Sequence, residues 1–386
     1  MRTDDGTACA GVETFRQIRP AMTGPIPDTP SGRAPIDADW RGLLAESCTV
    51  PEWLPWRLRQ ATGSLRSVVD RYPMRINPYY LSLIQTMRDP IGLQAIPSPA
   101  ELDSTRLDPD PSGEGGQSPS ARIVHRYPDR VVFLVSDRCP VYCRFCMRKR
   151  QVGDPAGISP SAIDDGLAYI RENRQVEEVV LSGGDPLMLS DDRLSGILDR
   201  LRSIRHVQVI RIHSRMPCTL PQRITTKLAS RLARFHPLFV VTHFNHPREL
   251  TAEAAAACGR LVDAGIPLGS QSVLLRGVND DPGVMASLMK GLVRMRIRPY
   301  YLHHPDPVRG TAHFRVPIRT GQEVMRRLRG NISGLCVPQY MIDLPGGGGK
   351  VPMLPETTRW VGDGRLEVEN YRGERYIYED VPEGEN

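Results

Sequence analysis

The stretch Asp343-Leu-Pro-Gly-Gly-Gly-Gly-Lys350 sets four consecutive glycines against a single amine. A phosphate loop of the G-x-x-x-x-G-K-[ST] kind would need glycine at Leu344 and a hydroxyl residue at Val351. That reading fails at both positions. Only Lys149, Lys227, Lys290 and Lys350 are lysines, in a chain with 50 basic residues. A lysine kept where arginine is the rule points to chemistry that arginine cannot do. Lysine can lose its proton, attack a carbonyl carbon and form a Schiff base, whereas arginine stays charged. An aldehyde cofactor such as pyridoxal phosphate (PLP) suits that chemistry. Bare glycine backbone would let the chain come close to its ring or phosphate.

A second group of reactive residues is the run Arg138-Cys-Pro-Val-Tyr-Cys-Arg-Phe-Cys146, which spaces Cys139, Cys143 and Cys146 as C-x3-C-x2-C. Zinc sites usually pair two C-x2-C knuckles to reach four ligands, and there is no second pair. Three thiolates fit a [4Fe-4S] cluster with one iron open to a small molecule. A zinc site completed by a distant histidine is the alternative. The other five cysteines, Cys9, Cys48, Cys218, Cys258 and Cys336, are scattered. They form no disulfide framework, as expected of a reducing compartment.

The net charge of +6 over 386 residues is modest, and no basic block calls for nucleic acid. No apolar run approaches the roughly 20 residues of a membrane helix, and the N-terminus lacks an apolar signal core. A cytoplasmic enzyme acting on a small molecule is expected.

The elements that must position these residues follow from the pattern. Residues 1–38 are rich in Gly, Pro, Thr and Asp without periodicity and read as disordered. Residues 39–100 read as helical, anchored by Trp53 and Trp56, and 107–120 read as a polar linker. From there short apolar runs at 130–137, 177–185, 207–215, 237–244, 267–277 and 297–304 alternate with helical stretches at 160–173, 190–203, 222–235, 251–264 and 282–295. Such alternation predicts an α/β fold with a parallel sheet and right-handed crossovers, a partial (β/α)6 barrel. Chemistry in such barrels sits at the C-terminal ends of the strands. There the sequence places the cysteine run, Gly183 to Asp185, Arg215 and His243. Residues 358–380 predict a small antiparallel extension turning at Gly362-Asp363-Gly364 and Arg372-Gly373.

The cysteine run placed after the first barrel strand resembles that of the radical S-adenosylmethionine (SAM) enzymes. Further stretches resemble the lysine 2,3-aminomutase family over roughly residues 70–375. They include HRYPDR (125–130), YCRFCMRKR (142–150), VVLSGGDPL (179–187), LPQRIT (220–225), NHPRELT (245–251), QSVLLRGVND (271–280), RPYYL (298–302), SGLCVP (333–338) and DLPGGGGK (343–350). The resemblance implies a [4Fe-4S] cluster on Cys139, Cys143 and Cys146, with SAM on its open iron. It implies that Ser182, Gly183, Gly184 and Asp185, with His243 and Gln271, receive SAM. Lys350 would hold PLP, and Arg126 and Arg130 its phosphate. Arg148 would pair with the substrate α-carboxylate. Asp306 and Asp343 would hold the far amine of a basic amino acid. The implied barrel core spans 121–305, after a helical region and linker at 39–120, and the PLP and substrate region spans 306–386. The implied reaction moves the α-amino group of L-lysine to the β-carbon. A reductant such as flavodoxin or ferredoxin is implied as partner.

Two departures bear on this. Relatives carry a zinc-binding cysteine group at the C-terminal end together with a cysteine after GVND. Here position 281 is Asp281 and no cysteine follows Cys336, so a homo-oligomer built on that zinc is not expected. Where relatives have Tyr-Gln-Cys-Asp, this chain has His303-His304-Pro305-Asp306. That change admits L-arginine as the rival substrate, with β-arginine or β-lysine feeding antibiotic biosynthesis.

Overall fold

A computed structural model of the chain describes residues 34–58, 65–103, 107–120, 122–154, 157–362 and 364–381. Most of the expected disordered segment lies outside the described residues. Its end does not fit that expectation, because Gln222 binds the carbonyl of Ala34 (2.9 Å) and Arg260 pairs with Asp37 (2.6 Å).

The main sheet has nine strands in sequence order: β1 Ile123–Tyr127, β2 Arg130–Ser136, β3 Glu178–Gly183, β4 Val209–His213, β5 Leu238–Thr242, β6 Leu268–Val273, β7 Arg298–His303, β8 Gln339–Leu344 and β9 Gly349–Pro352. Strands β2 to β8 run parallel, while β1 and β9 pair antiparallel at the two edges. The result is a nearly closed α/β barrel. All six expected strands are present, as β2 to β7. The sequence pattern missed β1, β8 and β9. Each carries charged residues or glycine where a buried strand would carry Val or Ile.

Alternation along the strands separates two faces. In β4, Ile210 and Ile212 are fully buried in the apolar core, whereas Arg211 and His213 take the other face. Helices Pro160–Glu172, Asp191–Arg202, Thr226–Leu232, Ala252–Asp263 and Pro282–Arg294 lie between successive strands. Each begins on a side-chain cap, from Ser159, Ser190, Thr225, Thr251 and Asp281 respectively, which satisfies N–H groups the first turn leaves unpaired. The expected helix at 222–235 is shorter, because short 3-10 turns flank it at Pro221–Arg223 and Ala233–Phe235.

Two N-terminal expectations change. The described part of 40–102 is built from helices of no more than six residues and 3-10 turns. The stretch 107–120 is not a free linker. Asp110 accepts the N–H groups of Glu114 (3.1 Å) and Gly115 (2.9 Å), and Ser112 and Glu114 are buried. Its polar groups are used inward, so composition alone misread it.

The C-terminal strands β10 Thr358–Gly362, β11 Arg365–Glu369 and β12 Arg375–Glu379 form a separate antiparallel sheet. The first expected turn includes Asp363, outside the described residues; in the second, Gly373 has a positive φ of 81°. Among the described residues no helix is long and apolar enough to cross a membrane.

Candidate active site

The cysteine loop leaves the end of β2 and is gripped from the N-terminal side. Asn77 donates to the carbonyl of Pro140 (3.2 Å), Tyr142 to that of Arg75 (3.0 Å) and Arg144 to that of Gln94 (2.9 Å). Beneath the loop, Glu101 is fully buried and takes a fork from Arg144 (2.6 and 2.9 Å) and the amine of Lys149 (2.6 Å). Burial works against the charged carboxylate, but the two cations outweigh it and hold Glu101 below the ordinary carboxyl range. Burial and the Arg144 charge draw Lys149 down to about 8 in spite of Glu101. The two-pronged Arg144 is the firmer partner.

Burial pushes Cys139 up well above the ordinary thiol value, with Asp185, Cys146 and Cys143 adding to it. Burial and then Cys143 push Cys146 up to about 11. Thiols held protonated by enclosure and by one another suit a site completed by a cationic centre, which would reverse both effects. Among the described residues no three His, Cys, Asp or Glu side chains close on a single ion. In a [4Fe-4S] cluster each cysteine binds a different iron, so one-ion closure is not needed there.

At the end of β3, Gly183 has φ 118° and Gly184 packs on the backbone of Asp137 and Arg138. A Cβ on either would collide with the chain that leads into the cysteines. These glycines therefore join β3 to the cluster loop. Asp185 is engaged by the chain itself. Its buried carboxylate accepts from Ser214 (2.8 Å), Leu187 N–H (3.0 Å) and Arg215 N–H (2.8 Å). It is committed to holding the end of β4. Burial raises it to about 6.

His243 follows β5 and bonds Asn245 (3.0 Å), its ring 5.6 Å from that of Phe145 in the cysteine loop. Burial and the Arg215 charge lower it to about 3, which leaves a neutral imidazole beside the cluster loop. Gln271 in β6 sits between His213 (3.3 Å) and His303 (3.4 Å), nearer the Lys350 end of the barrel.

Lys350 lies in β9, directly across the ladder from Asp343 in β8. The glycine run is the hairpin that joins them. Its Nζ is 2.5 Å from Asp343 Oδ2, and its backbone N–H donates to the Tyr127 hydroxyl (2.9 Å). Gly346, Gly347 and Gly349 all have positive φ, and a Cβ on Gly347 would overlap the Gln117 side chain. The glycines thus form the turn and admit Gln117.

Arg126 of β1 also reaches Asp343 (3.2 Å), while binding Gln117 (2.8 Å) and the Ser112 carbonyl (2.9 Å). Arg130 stands apart from it, on Asp129 (2.8 Å) and over the Tyr127 ring. Burial would raise Asp343, but Lys350 outweighs it and holds the carboxyl low. Asp306 shares this neighbourhood. Burial and the Asp343 charge raise it to about 6, against the pull of Lys350. Burial and Lys350 lower His303 to about 3.

Arg148 forks onto Glu114 (2.6 and 3.0 Å) and donates to Ser182 (3.2 Å). Glu114, Gln117 and Tyr127 are the contributors that residue reasoning passed over. Tyr127 stood inside a quoted motif. The other two were hidden in a stretch whose composition looks like solvent-exposed linker.

A family described as the radical SAM superfamily matches residues 133–288, and one described as lysine-2,3-aminomutase matches residues 325–384. The L-lysine 2,3-aminomutase of Acetoanaerobium sticklandii is 46% identical over 350 residues, 89% of this chain and 84% of that protein. That of Clostridium subterminale is 44% identical over 348 residues, 87% and 83% of the two. The glutamate 2,3-aminomutase of Clostridioides difficile is 41% identical over 321 residues, 82% and 76%.

Proposed function

The chain belongs to the lysine 2,3-aminomutase family of radical SAM enzymes, and we propose that it converts L-lysine to β-lysine with PLP held at Lys350. It is an isomerase of the radical SAM aminomutase type, and the family uses a [4Fe-4S] cluster and SAM. The finer reading rests on one observation above the rest. Asp306 and Asp343 lie close enough that one charge raises the other, in a buried space beside Lys350. In this structure Lys350 and Arg126 neutralise Asp343; with Lys350 given over to PLP, two enclosed carboxylates are costly unless another cation joins them. They favour a substrate with a cationic far end and repel the side chain of glutamate.

When bound, the cluster and SAM supply a carbon radical that takes and returns one hydrogen, and PLP supplies a carbonyl for the amine and a ring that spreads the unpaired electron. The protein's own groups orient and enclose. Arg148 offers its guanidinium to the α-carboxylate, with Glu114 and Ser182 fixing its plane. Asp343 and Asp306 hold the far ammonium. His243, beside the cysteine loop, and Gln271, between His213 and His303, would receive SAM. Arg126, and Arg130 after release from Asp129, supply charge for the PLP phosphate. The glycine hairpin meets the folded stretch 107–120 where Gln117 lies against Gly347 and Arg126. The electron comes from a low-potential donor such as flavodoxin or ferredoxin.

The test is anaerobic reconstitution with iron, sulfide and PLP. SAM, dithionite and equal L-lysine, L-arginine and L-glutamate are then added, and the products are separated after derivatisation. β-Lysine is the expected product. β-Arginine as main product would overturn lysine and show that His303 and Pro305 reshape the pocket for a guanidinium. No product, with cluster and PLP bound, would overturn the aminomutase reading for these substrates.

A further inference from the structure

Arg215, at the end of β4, is buried with Glu249 against the cysteine loop. Its Nη1 lies 2.8 Å from Cys143 Sγ. Its Nη2 is shared by Glu249 (2.7 Å), Gln94 (2.6 Å) and the Tyr80 hydroxyl (3.1 Å). Glu249 is fully enclosed. It accepts from the Tyr80 hydroxyl (2.7 Å) through Oε1 and from the N–H groups of Asn245 (2.6 Å) and His246 (3.0 Å) through Oε2. The rings of Phe145 and Tyr80 cover the guanidinium. A buried ion pair is weak as a device for stability, and no substrate role falls to this one. Its orientation is specific: the fixed positive end touches a cluster ligand, and the negative end points away.

We propose that the Arg215–Glu249 pair sets the reduction potential of the [4Fe-4S] cluster through the Cys143 sulfur, with Arg215 as a positioning residue. Adding one electron from the external donor makes the cluster more negative. A cationic donor on a ligating sulfur stabilises that reduced state, and a carboxylate behind the donor tempers the effect. Arginine suits the role because its charge does not titrate. The inference stands whichever amino acid is the substrate.

The experiment is an EPR-monitored redox titration of the reconstituted holoenzyme without substrate. Arg215→Gln is expected to cut the reduced-to-oxidised ratio at a fixed potential about tenfold, about 59 mV for one electron. Arg215→Lys keeps the charge and is expected to restore most of the shift. Glu249→Gln removes the tempering charge and is expected to move the potential upward. Opposite signs for the two partners would not follow from loosened packing. An Arg215→Gln protein with full iron content and an unchanged potential overturns the proposal. If that variant does not hold its cluster, Glu249→Gln decides alone: an upward shift supports the pair, and no shift or a downward one overturns it.

Discussion

The loop that carries the cysteines and the hairpin that carries Lys350 belong to one barrel but are held in opposite ways. The cysteine loop is gripped by the N-terminal segment through buried groups: the side chains of Arg144, Lys149 and Glu101 are 2%, 4% and 0% exposed. The Lys350 hairpin has one edge strand, a glycine turn and a lysine side chain 31% exposed. Its neighbours Leu344 and Val351 also face solvent. A centre that makes radicals gains from being fixed and sealed. In the proposed reaction Lys350 releases PLP to an incoming amine, which calls for space and an exchangeable partner, and Asp343 would be one.

The contrast can be broken at either end. Lys350→Ala is expected to have the largest effect: PLP absorbance disappears and turnover falls roughly a thousandfold or more, while iron content stays at the wild-type level. Loss of iron together with PLP would mean the two halves are not separable. Glu101→Gln tests the other half. It leaves Arg144 and Lys149 enclosed without their carboxylate, at a cost of about 3–5 kcal/mol. A lower melting temperature and poor iron retention are expected, and unchanged melting would refute the clamp.

The halves also differ in pH response. Glu101 is held below its ordinary 4.5, so its contribution is complete above that pH and is lost as pH falls further. Asp306 is raised from 3.8 to about 6, so the fold loses stability as pH rises through that window, and the carboxylate gains the charge that the proposed function gives to substrate binding. For L-lysine, kcat/KM should therefore fall as pH drops through about 6. Asp306→Asn should raise KM about 10- to 100-fold and flatten that limb; a limb that persists in the variant assigns it to another group. The smallest effects belong to the turn. Gly346→Ala meets no neighbour but pays for positive φ, about 1–2 kcal/mol. Gly347→Ala must also displace Gln117 and should lose more stability, together with PLP affinity. Equal melting curves for the two would remove Gln117 from the site wall.

Much of this was legible in the chain. The three cysteine positions, the six core strands and the lysine beside its glycines are short-range patterns, fixed by spacing and by the apolar period. The sequence by itself determined a parallel α/β barrel, and it carries the residue types that a cluster and a carbonyl cofactor need. Only the tertiary structure decided that residues 107–120 wall the site, that Asp343 faces Lys350 across a ladder, that Asp185 holds β4, and that Arg215 and Glu249 stand behind Cys143. These pairings join residues far apart in the chain, apart from the hairpin pair. Their charges look like surface charges in one dimension, and burial, which sets their energetics, exists only after the fold has closed around them.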